Sequence, residues 1–172
     1  MIPHNRPTLG KEEEDAAIRV LREGWLAQGE EVKKFENEFC EFIGLPKGHA
    51  VAVSSGTAAL FLALVMLDGS EKNVGLPGYV CSALRNAIDM SKGKNVLVDV
   101  GHNSPNIDLE KLFKENPQIA IIPHIFGIPI NLSNLKKIPI IEDCTHALGA
   151  KVNGKSVGLE GEFGVFSFYA TK

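Results

Sequence analysis

The residues of this chain that could do chemistry are a carboxylate, a lysine and a Ser-Gly-Thr turn, widely separated in the sequence. Asp143 closes an apolar run that begins at Ile138, Lys172 follows the run Val165–Phe168, and the turn lies at Ser54–Thr57. A buried carboxylate needs a cationic partner, a neutral lysine amine attacks carbonyl groups, and a helix N-terminus binds phosphate. Together these are the groups needed to hold pyridoxal phosphate (PLP).

The turn Ser54–Thr57 follows the apolar run Ala50–Val53, interpreted as a strand, and opens the helical stretch Thr57–Leu67. Backbone N–H groups and hydroxyls would there point at an anion, and Gly56 permits close approach of the backbone. The turn has neither a P-loop lysine nor a G-x-G-x-x-G pattern, which disfavours nucleoside triphosphates and dinucleotides. The alternative is a simple helix cap, because Ser and Thr are common N-cap residues.

Asp143 ends a predicted buried strand, where an ionised side chain is costly unless it is paired. A pyridinium nitrogen would supply the cation, and the carboxylate would keep that nitrogen protonated, which makes the ring an electron sink. The alternatives are a metal ligand and a helix cap. Cys144 and His146 lie beside Asp143 but do not form a recognised zinc spacing, so we expect no metal. His146 could face the cofactor's phenolic oxygen or be an ordinary structural histidine.

Lys172 is the candidate for a Schiff base with the cofactor, a role that requires a neutral amine, whereas a lysine at a chain end is normally solvated. Ser167 could add a hydroxyl to the phosphate site. The glycines of the preceding Gly158-x-x-Gly161-x-x-Gly164 pattern indicate either a flexible approach to this site or an ordinary surface turn.

Short apolar runs alternate with helical stretches from His49 onward, a pattern that predicts a mainly parallel α/β sheet. Continuous hydrophobicity within the runs indicates strands covered on both faces. The predicted strands are Ala50–Val53, Val74–Leu76, Val96–Val100, Ile119–Pro123, Ile138–Ile141 and Val165–Phe168. The predicted helices are Lys11–Arg22, Glu30–Ile43, Thr57–Leu67, Ser82–Met90 and Asp108–Glu115. Ligands bind beyond the carboxyl ends of such strands, so we expect the chemical residues to cluster there.

Composition excludes several other classes of function. The net charge of -3 over 172 residues provides no basic field for nucleic acid or anionic lipid. The longest apolar run, Ala58–Leu67, is too short to cross a bilayer, and the start of the chain has no signal-peptide pattern. Three cysteines at wide spacings (Cys40, Cys81 and Cys144) suit reduced thiols. We therefore predict a cytoplasmic protein.

Several segments, in this order and spacing, match one known family. They are Pro7–Gly10, Gly24–Gly29, Ser54–Leu60, Asn106–Asp108, His124–Gly127, Glu142–Ala150 and Ser167–Lys172. The chain resembles the DegT/DnrJ/StrS-type sugar aminotransferases, PLP enzymes of fold type I, as their N-terminal half. The resemblance implies a mixed, mostly parallel sheet between helices, with the C-terminal small domain absent. It also implies an N-terminal helical segment, 1–45, packing on a PLP-binding large domain, 46–172, that is incomplete at its C-terminus.

The resemblance also implies roles for individual residues. The implied cofactor-binding residues are Ser55, Gly56, Thr57, Cys81, Asp143, His146, Ser167 and Lys172. By this resemblance Gly56, Thr57 and Ser167 bind the phosphate, Asp143 pairs with the ring nitrogen, His146 lies near the ring hydroxyl, and Lys172 carries the aldimine as the catalytic residue. Cys81 departs from the family pattern, because it stands where an aromatic residue usually stacks on the ring. Tyr79 could take that place.

The implied function is transfer of an amino group, with glutamate as the expected donor, to a keto sugar attached to a nucleotide. The products would serve amino-sugar, cell-surface polysaccharide or antibiotic biosynthesis. Lys172 favours transamination over the dehydratases of the family, which have histidine at that position. We also expect a homodimer, with the functional chain continuing beyond Lys172. One alternative is a non-catalytic remnant or assembly subunit, and another is an unrelated α/β domain whose turn holds some other anion.

Overall fold

The amphipathic pattern at the start of the chain forms two helices. In a computed structural model, which describes residues 7–133, 135 and 138–170, α1 spans Lys11–Glu23 and α2 spans Glu30–Ile43. Each helix is followed by a glycine with a left-handed φ, a conformation that ends helices and favours glycine. The guanidinium of Arg19 donates hydrogen bonds of 3.0 and 3.1 Å to the two carboxylate oxygens of Glu31, which joins the helices.

The described chain forms two compact units, residues 7–52 with 169–170 and residues 53–168. The boundary at 45/46 and the packing of 1–45 on a large domain stay predictions. Among the described residues no helix has the length and apolarity needed to cross a membrane.

The second unit is built on a parallel sheet. Its helices are α3 (Gly56–Met66), α4 (Ala83–Met90) and α5 (Leu109–Lys114). Its strands are β1 (Asn73–Pro77), β2 (Lys94–Val98), β3 (Ile119–Pro123), β4 (Ile140–Asp143), β5 (Lys151–Val152), β6 (Lys155–Ser156) and β7 (Phe163–Val165). Five strands pair in the order β2-β1-β3-β4-β7, all parallel, and β5 and β6 form an antiparallel hairpin. The predicted mostly parallel α/β sheet is confirmed.

Alternate residues of the central strands face two different cores. Ile121 and Ile141 pack with α3 and α4, whereas Ile122 and Ile140 pack with α5 on the other face. Apolar side chains on both faces explain why these strands read as continuous hydrophobic runs. The same alternation decides on which face of β4 each carboxylate of Glu142 and Asp143 lies.

Three strand predictions need correction. Ala50–Val53 is not a strand, because the Ala52 N–H donates to Oε1 of Glu36 at 2.8 Å rather than to a neighbouring strand. The last strand covers Phe163–Val165, earlier than predicted, so Ser167 lies beyond its end. β2 is an edge strand and is not covered on both faces, since Leu97 is 54% exposed.

The β5–β6 hairpin was not predicted. Its turn is Asn153–Gly154, and both residues have a positive φ, 51° and 82°. This backbone matches the right-handed twist of paired strands, and Asn-Gly is the dipeptide that favours it most. The signal was therefore present in the sequence.

Candidate active site

The carboxyl ends of three neighbouring strands are level with one another. Pro123 of β3 and Val165 of β7 both lie opposite Asp143 of β4. The N–H of His124 donates to the Asp143 carbonyl at 3.0 Å, and the N–H of Cys144 donates to the Val165 carbonyl at 2.8 Å. The segments that leave β3, β4 and β7 therefore start side by side at one edge of the sheet.

Asp143 is a buried acid at this edge, with 5% of its surface exposed. Its Oδ1 accepts a hydrogen bond from the Thr145 N–H at 3.0 Å. Within residues 7–133, 135 and 138–170, no lysine, arginine or histidine forms an ion pair with it. A buried carboxylate without a cationic partner is costly, so Asp143 is suited to pair with a cation, such as a pyridinium, from outside those residues.

The predicted phosphate turn lies next to the loop after Asp143. A side-chain methyl at Gly56 would lie 3.5 Å from Cγ2 of Thr145. Ser55 is the N-cap of α3, and its Oγ accepts from the Ala58 N–H at 3.1 Å, so the simple-cap alternative holds for this side chain. In the described chain the N–H groups of Gly56 and Thr57 have no acceptor, which leaves two helix N-terminal donors for an anion.

Cys81 and Tyr79 lie at the same edge of the sheet, after β1. Cys81 is exposed and Tyr79 is 60% exposed. Strand β1 is separated from β4 by β3, which puts these residues about 10 Å across the sheet from β4 at the usual strand spacing. The positions are compatible with a ring lying between β1 and β4, whereas the stacking residue itself stays a prediction.

Ser167 and Lys172 complete the predicted set. Ser167 is half-buried and follows β7, so it lies at the same edge as Asp143. Lys172, the predicted catalytic lysine, lies outside the described residues. The structure thus places Asp143 and Ser167 at one edge of the sheet and Gly56 near Thr145, although Gly56 follows no strand. The roles of these residues in cofactor binding stay predictions.

His146 is exposed and its ring is stacked on Phe126, with ring centroids 6.1 Å apart and planes inclined by 14°. Phe126 has φ 55° and ψ 26°, a left-handed conformation that is unfavourable for a bulky residue. Asn106 holds this turn on both sides, because its Oδ1 accepts from the Ile125 N–H at 2.9 Å and its Nδ2 donates to the Ile128 carbonyl at 3.0 Å. The sequence matched these segments to a family but did not show that they meet.

A polar network that was not predicted from the sequence is centred on Glu142. Its carboxylate is 1% exposed, and its Oε2 accepts from Nε2 of His124 at 3.0 Å and from the Gly158 N–H at 2.8 Å. Its Oε1 accepts from the N–H groups of Glu160 at 2.7 Å and Gly161 at 2.8 Å. One signal was available: strand alternation puts consecutive carboxylates on opposite faces, so Glu142 needed partners of its own.

The glycine pattern before Ser167 is neither a flexible approach nor an ordinary surface turn. A methyl at Gly161 would lie 2.5 Å from the Ile140 carbonyl oxygen, and one at Gly164 would lie 2.5 Å from the Gly158 carbonyl oxygen. At Gly158, where φ is 88°, a methyl would lie 2.6 Å from Cζ of Phe166. These glycines allow the loop to pack closely around Glu142 and β4, and a larger residue at Gly161 or Gly164 would force the backbone to shift.

The arrangement fits the chemical needs of PLP. Asp143 offers a carboxylate for a protonated ring nitrogen, and Gly56 and Thr57 offer N–H groups for a phosphate. The thiol of Cys144 is unsuited to act as a nucleophile, because burial, with the charges of Glu142 and Asp143, raises its pKa.

Comparison with known proteins connects this geometry to one family. The model of the DegT/DnrJ/EryC1/StrS aminotransferase family matches residues 7–172. An uncharacterised protein of Methanocaldococcus jannaschii, MJ1066, is 35% identical over 181 residues, covering 99% of this chain and 46% of its own length.

Solved structures agree with this match. The aminotransferase TlmJ from Streptoalloteichus hindustanus superimposes with a TM-score of 0.92 at 31% identity, over all of this chain and 50% of its own. Spr1654 from Streptococcus pneumoniae, assigned as a sugar aminotransferase and solved in apo, PLP and PMP forms, has a TM-score of 0.92 for the apo form at 26% identity. That match covers 99% of this chain and 49% of Spr1654. The chain therefore spans about half the length of the proteins it matches.

Proposed function

Because this chain belongs to the DegT/DnrJ/EryC1/StrS aminotransferase family, we propose that the whole protein is a PLP-dependent sugar aminotransferase. The observation that carries the proposal is Asp143, a buried carboxylate without a cationic partner in the described chain, beside the unpaired N–H groups of Gly56 and Thr57. The PLP and PMP forms of Spr1654, a relative of the same fold, support the choice of cofactor.

When bound, PLP supplies an electron sink for the negative charge that develops next to the transferred amino group. In our proposal Asp143 holds a proton at the ring nitrogen, while Gly56, Thr57 and Ser167 bind the phosphate. Ser55 caps the helix that presents those N–H groups. His146 lies near the ring hydroxyl, Cys81 lies on one face of the ring, and Lys172 supplies the amine.

For the substrates, we propose a keto sugar attached to a nucleotide as the acceptor and glutamate as the donor. The products would serve amino-sugar, cell-surface polysaccharide or antibiotic biosynthesis. The assignment of Spr1654 as a sugar aminotransferase supports the sugar part of the proposal. We also propose a cytoplasmic homodimer. The free cysteines Cys40, Cys81 and Cys144 support a reducing compartment, and exposed apolar residues such as Trp25 and Leu26 support association.

The test uses the full-length protein purified with PLP. We expect a yellow protein whose visible absorbance is bleached by borohydride, with PLP fixed on the peptide that contains Lys172. Glutamate and a panel of nucleotide-linked keto sugars are expected to yield 2-oxoglutarate. Lys172→Ala should abolish colour, labelling and turnover, whereas the matched variant Lys114→Ala, at an exposed residue of α5, should retain all three. A colourless wild-type protein, or labelling that persists in Lys172→Ala, would refute the proposal. Light scattering tests the dimer.

A further inference from the structure

The carboxylate of Glu142 joins three parts of the chain at the carboxyl edge of the sheet. It receives one hydrogen bond from His124, which follows β3, and three from the loop that leads to β7. The side chains of His124 and Glu142 are both buried, with 0% and 1% of their surfaces exposed. Burial by itself would raise the pKa of Glu142, yet the hydrogen bonds from His124, Gly161, Gly158 and Glu160 outweigh it and lower that pKa.

The direction of every hydrogen bond in this network follows from the partners. The Ile130 N–H donates to Nδ1 of His124 at 3.0 Å, so Nδ1 carries no hydrogen. Nε2 of His124 therefore carries the hydrogen and donates it to Glu142. Because each group has one role, His124 and Glu142 cannot exchange donor and acceptor without leaving a buried group unpaired.

The hydrogen-bond network around Glu142 is connected to the proposed PLP site through the backbone. Asp143 is the next residue after Glu142, and its carbonyl accepts from the His124 N–H. The Gly158–Gly161 loop, which surrounds Glu142, leads directly into β7 and Ser167. A shift of Glu142 would therefore move Asp143 relative to Ser167.

A metal site is the competing interpretation of this cluster. His124, Glu142 and Cys144 offer ligand atoms within 4.8 Å of one another. However, each carboxylate oxygen of Glu142 already accepts two hydrogen bonds from N–H donors, which leaves it no lone pair for a metal ion. The cluster is arranged to hold a carboxylate in place.

We propose that Glu142 is a positioning residue, which with His124 and the 158–161 loop holds Asp143 and Ser167 in their relative places before PLP binds. This inference rests on the proposed function, because it concerns the site that PLP would occupy. It predicts that the network is complete in the apo protein and that weakening it lowers PLP affinity.

The main experiment measures the dissociation constant for PLP by absorbance titration of full-length variants, well below their melting temperatures. In Glu142→Gln an amide NH₂ replaces one acceptor oxygen and faces N–H donors, so we expect PLP to bind about tenfold to hundredfold more weakly. His124→Leu, which removes both the donor to Glu142 and the acceptor of the Ile130 N–H, should weaken binding in the same direction. Glu115→Gln, the same substitution at an exposed site, should bind as wild type does.

A second control separates positioning from general destabilisation. Leu112→Ala removes a buried side chain from the same face of the sheet, away from the network, and should lower the melting temperature without weakening PLP binding. Wild-type affinity in folded Glu142→Gln and His124→Leu, or equal weakening in Leu112→Ala, would overturn the inference. Failure of the wild-type protein itself to bind PLP would instead refute the proposed function.

Hydrogen exchange of the wild-type protein tests the inference even where a variant does not fold. We expect the amides of Gly158, Glu160 and Gly161 to be as protected without PLP as with it, because they already donate to Glu142. Protection that arises only after PLP is added would show that the cofactor builds this loop, and the inference would be wrong.

Discussion

Glu142 and Asp143 are consecutive residues of β4 whose side chains leave the sheet on opposite faces. Ile140, on the face of Glu142, packs with α5, and Ile141, on the face of Asp143, packs with α3 and α4. The Glu142 carboxylate is enclosed by donors of its own chain, whereas the Asp143 carboxylate accepts a single hydrogen bond, from the Thr145 N–H, among the described residues. One strand thus carries an internal anchor and a candidate ligand-binding acid side by side.

Asp143→Asn should separate binding from chemistry. The amide has nearly the same shape, so PLP should still bind, but it cannot hold the ring nitrogen protonated, and kcat should fall by about a hundredfold or more. Steady-state kinetics and an absorbance titration measure the two effects. Asp89→Asn, at an exposed residue that contacts Asn95, is the matched control. Near-normal turnover by Asp143→Asn would remove Asp143 from the reaction.

Acid should destabilise the protein partly through Glu142. Its folded pKa lies below the ordinary 4.5, because the hydrogen bonds it accepts outweigh the opposing effect of burial. The unfolded chain therefore takes up the proton first. The stabilisation is complete above pH 4.5 and is lost as the pH falls through the folded pKa.

Urea unfolding from neutral pH to below pH 4.5 measures this effect. We expect the free energy of unfolding to fall less steeply with acid in Glu142→Gln than in the wild type. Identical slopes would mean that Glu142 titrates alike in the folded and unfolded states. The comparison is needed because the pKa values of Glu13, Glu31 and Asp99 are also lowered by hydrogen bonds.

Gly161→Ala should destabilise the fold by about 1–3 kcal/mol, because the added methyl would meet the backbone carbonyl of Ile140 rather than a movable side chain. Gly101→Ala is the matched control, since its methyl would make an ordinary 3.5 Å contact with Ser104 and should change stability by less than about 0.5 kcal/mol. Urea unfolding measures the free energy of unfolding of both variants. Equal stability of the two would contradict the close packing of the loop.

Asn106→Ala should also cost about 1–3 kcal/mol, because it leaves the N–H of the buried Ile125 without its acceptor. The variant should in addition free Phe126 from its left-handed conformation and change the environment of His146, which an NMR spectrum of the histidine ring can detect. Asn95→Ala, where the side chain is exposed, should have little effect. An unchanged His146 signal in Asn106→Ala would show that the stacked pair does not depend on Asn106.

Thiol labelling tests the predicted place of Cys81. Cys81 is exposed, whereas Cys40 and Cys144 are buried, so a thiol reagent should modify Cys81 first in the native protein. Burial and the neighbouring charges of Glu142 and Asp143 raise the pKa of Cys144, so its thiol should react with the reagent even more slowly. Bound PLP should protect Cys81, and Cys81→Ser should remove the fast phase. Labelling of Cys81 that PLP does not slow would place this residue away from the ring.

The helices followed from local pattern alone. α2 begins and ends at the predicted residues, Glu30 and Ile43. Both the apolar spacing of this helix and the Gly44 that ends it are signals that lie within the segment itself. The strand predicted at Ala50–Val53 failed because a strand needs a partner, and no local pattern shows whether one is present. The Asn153–Gly154 hairpin, by contrast, was overlooked although its signal was local.

The sequence by itself determined the parallel α/β class, the family resemblance and the identity of Asp143 as a strand-end acid, because these depend on residue types and their spacing along the chain. Only the tertiary structure decided that Glu142 is enclosed by His124 and the 158–161 loop, and that Gly56 lies beside Thr145. These contacts join residues far apart in the sequence, and their geometry depends on the order and register of the strands, which no single segment specifies.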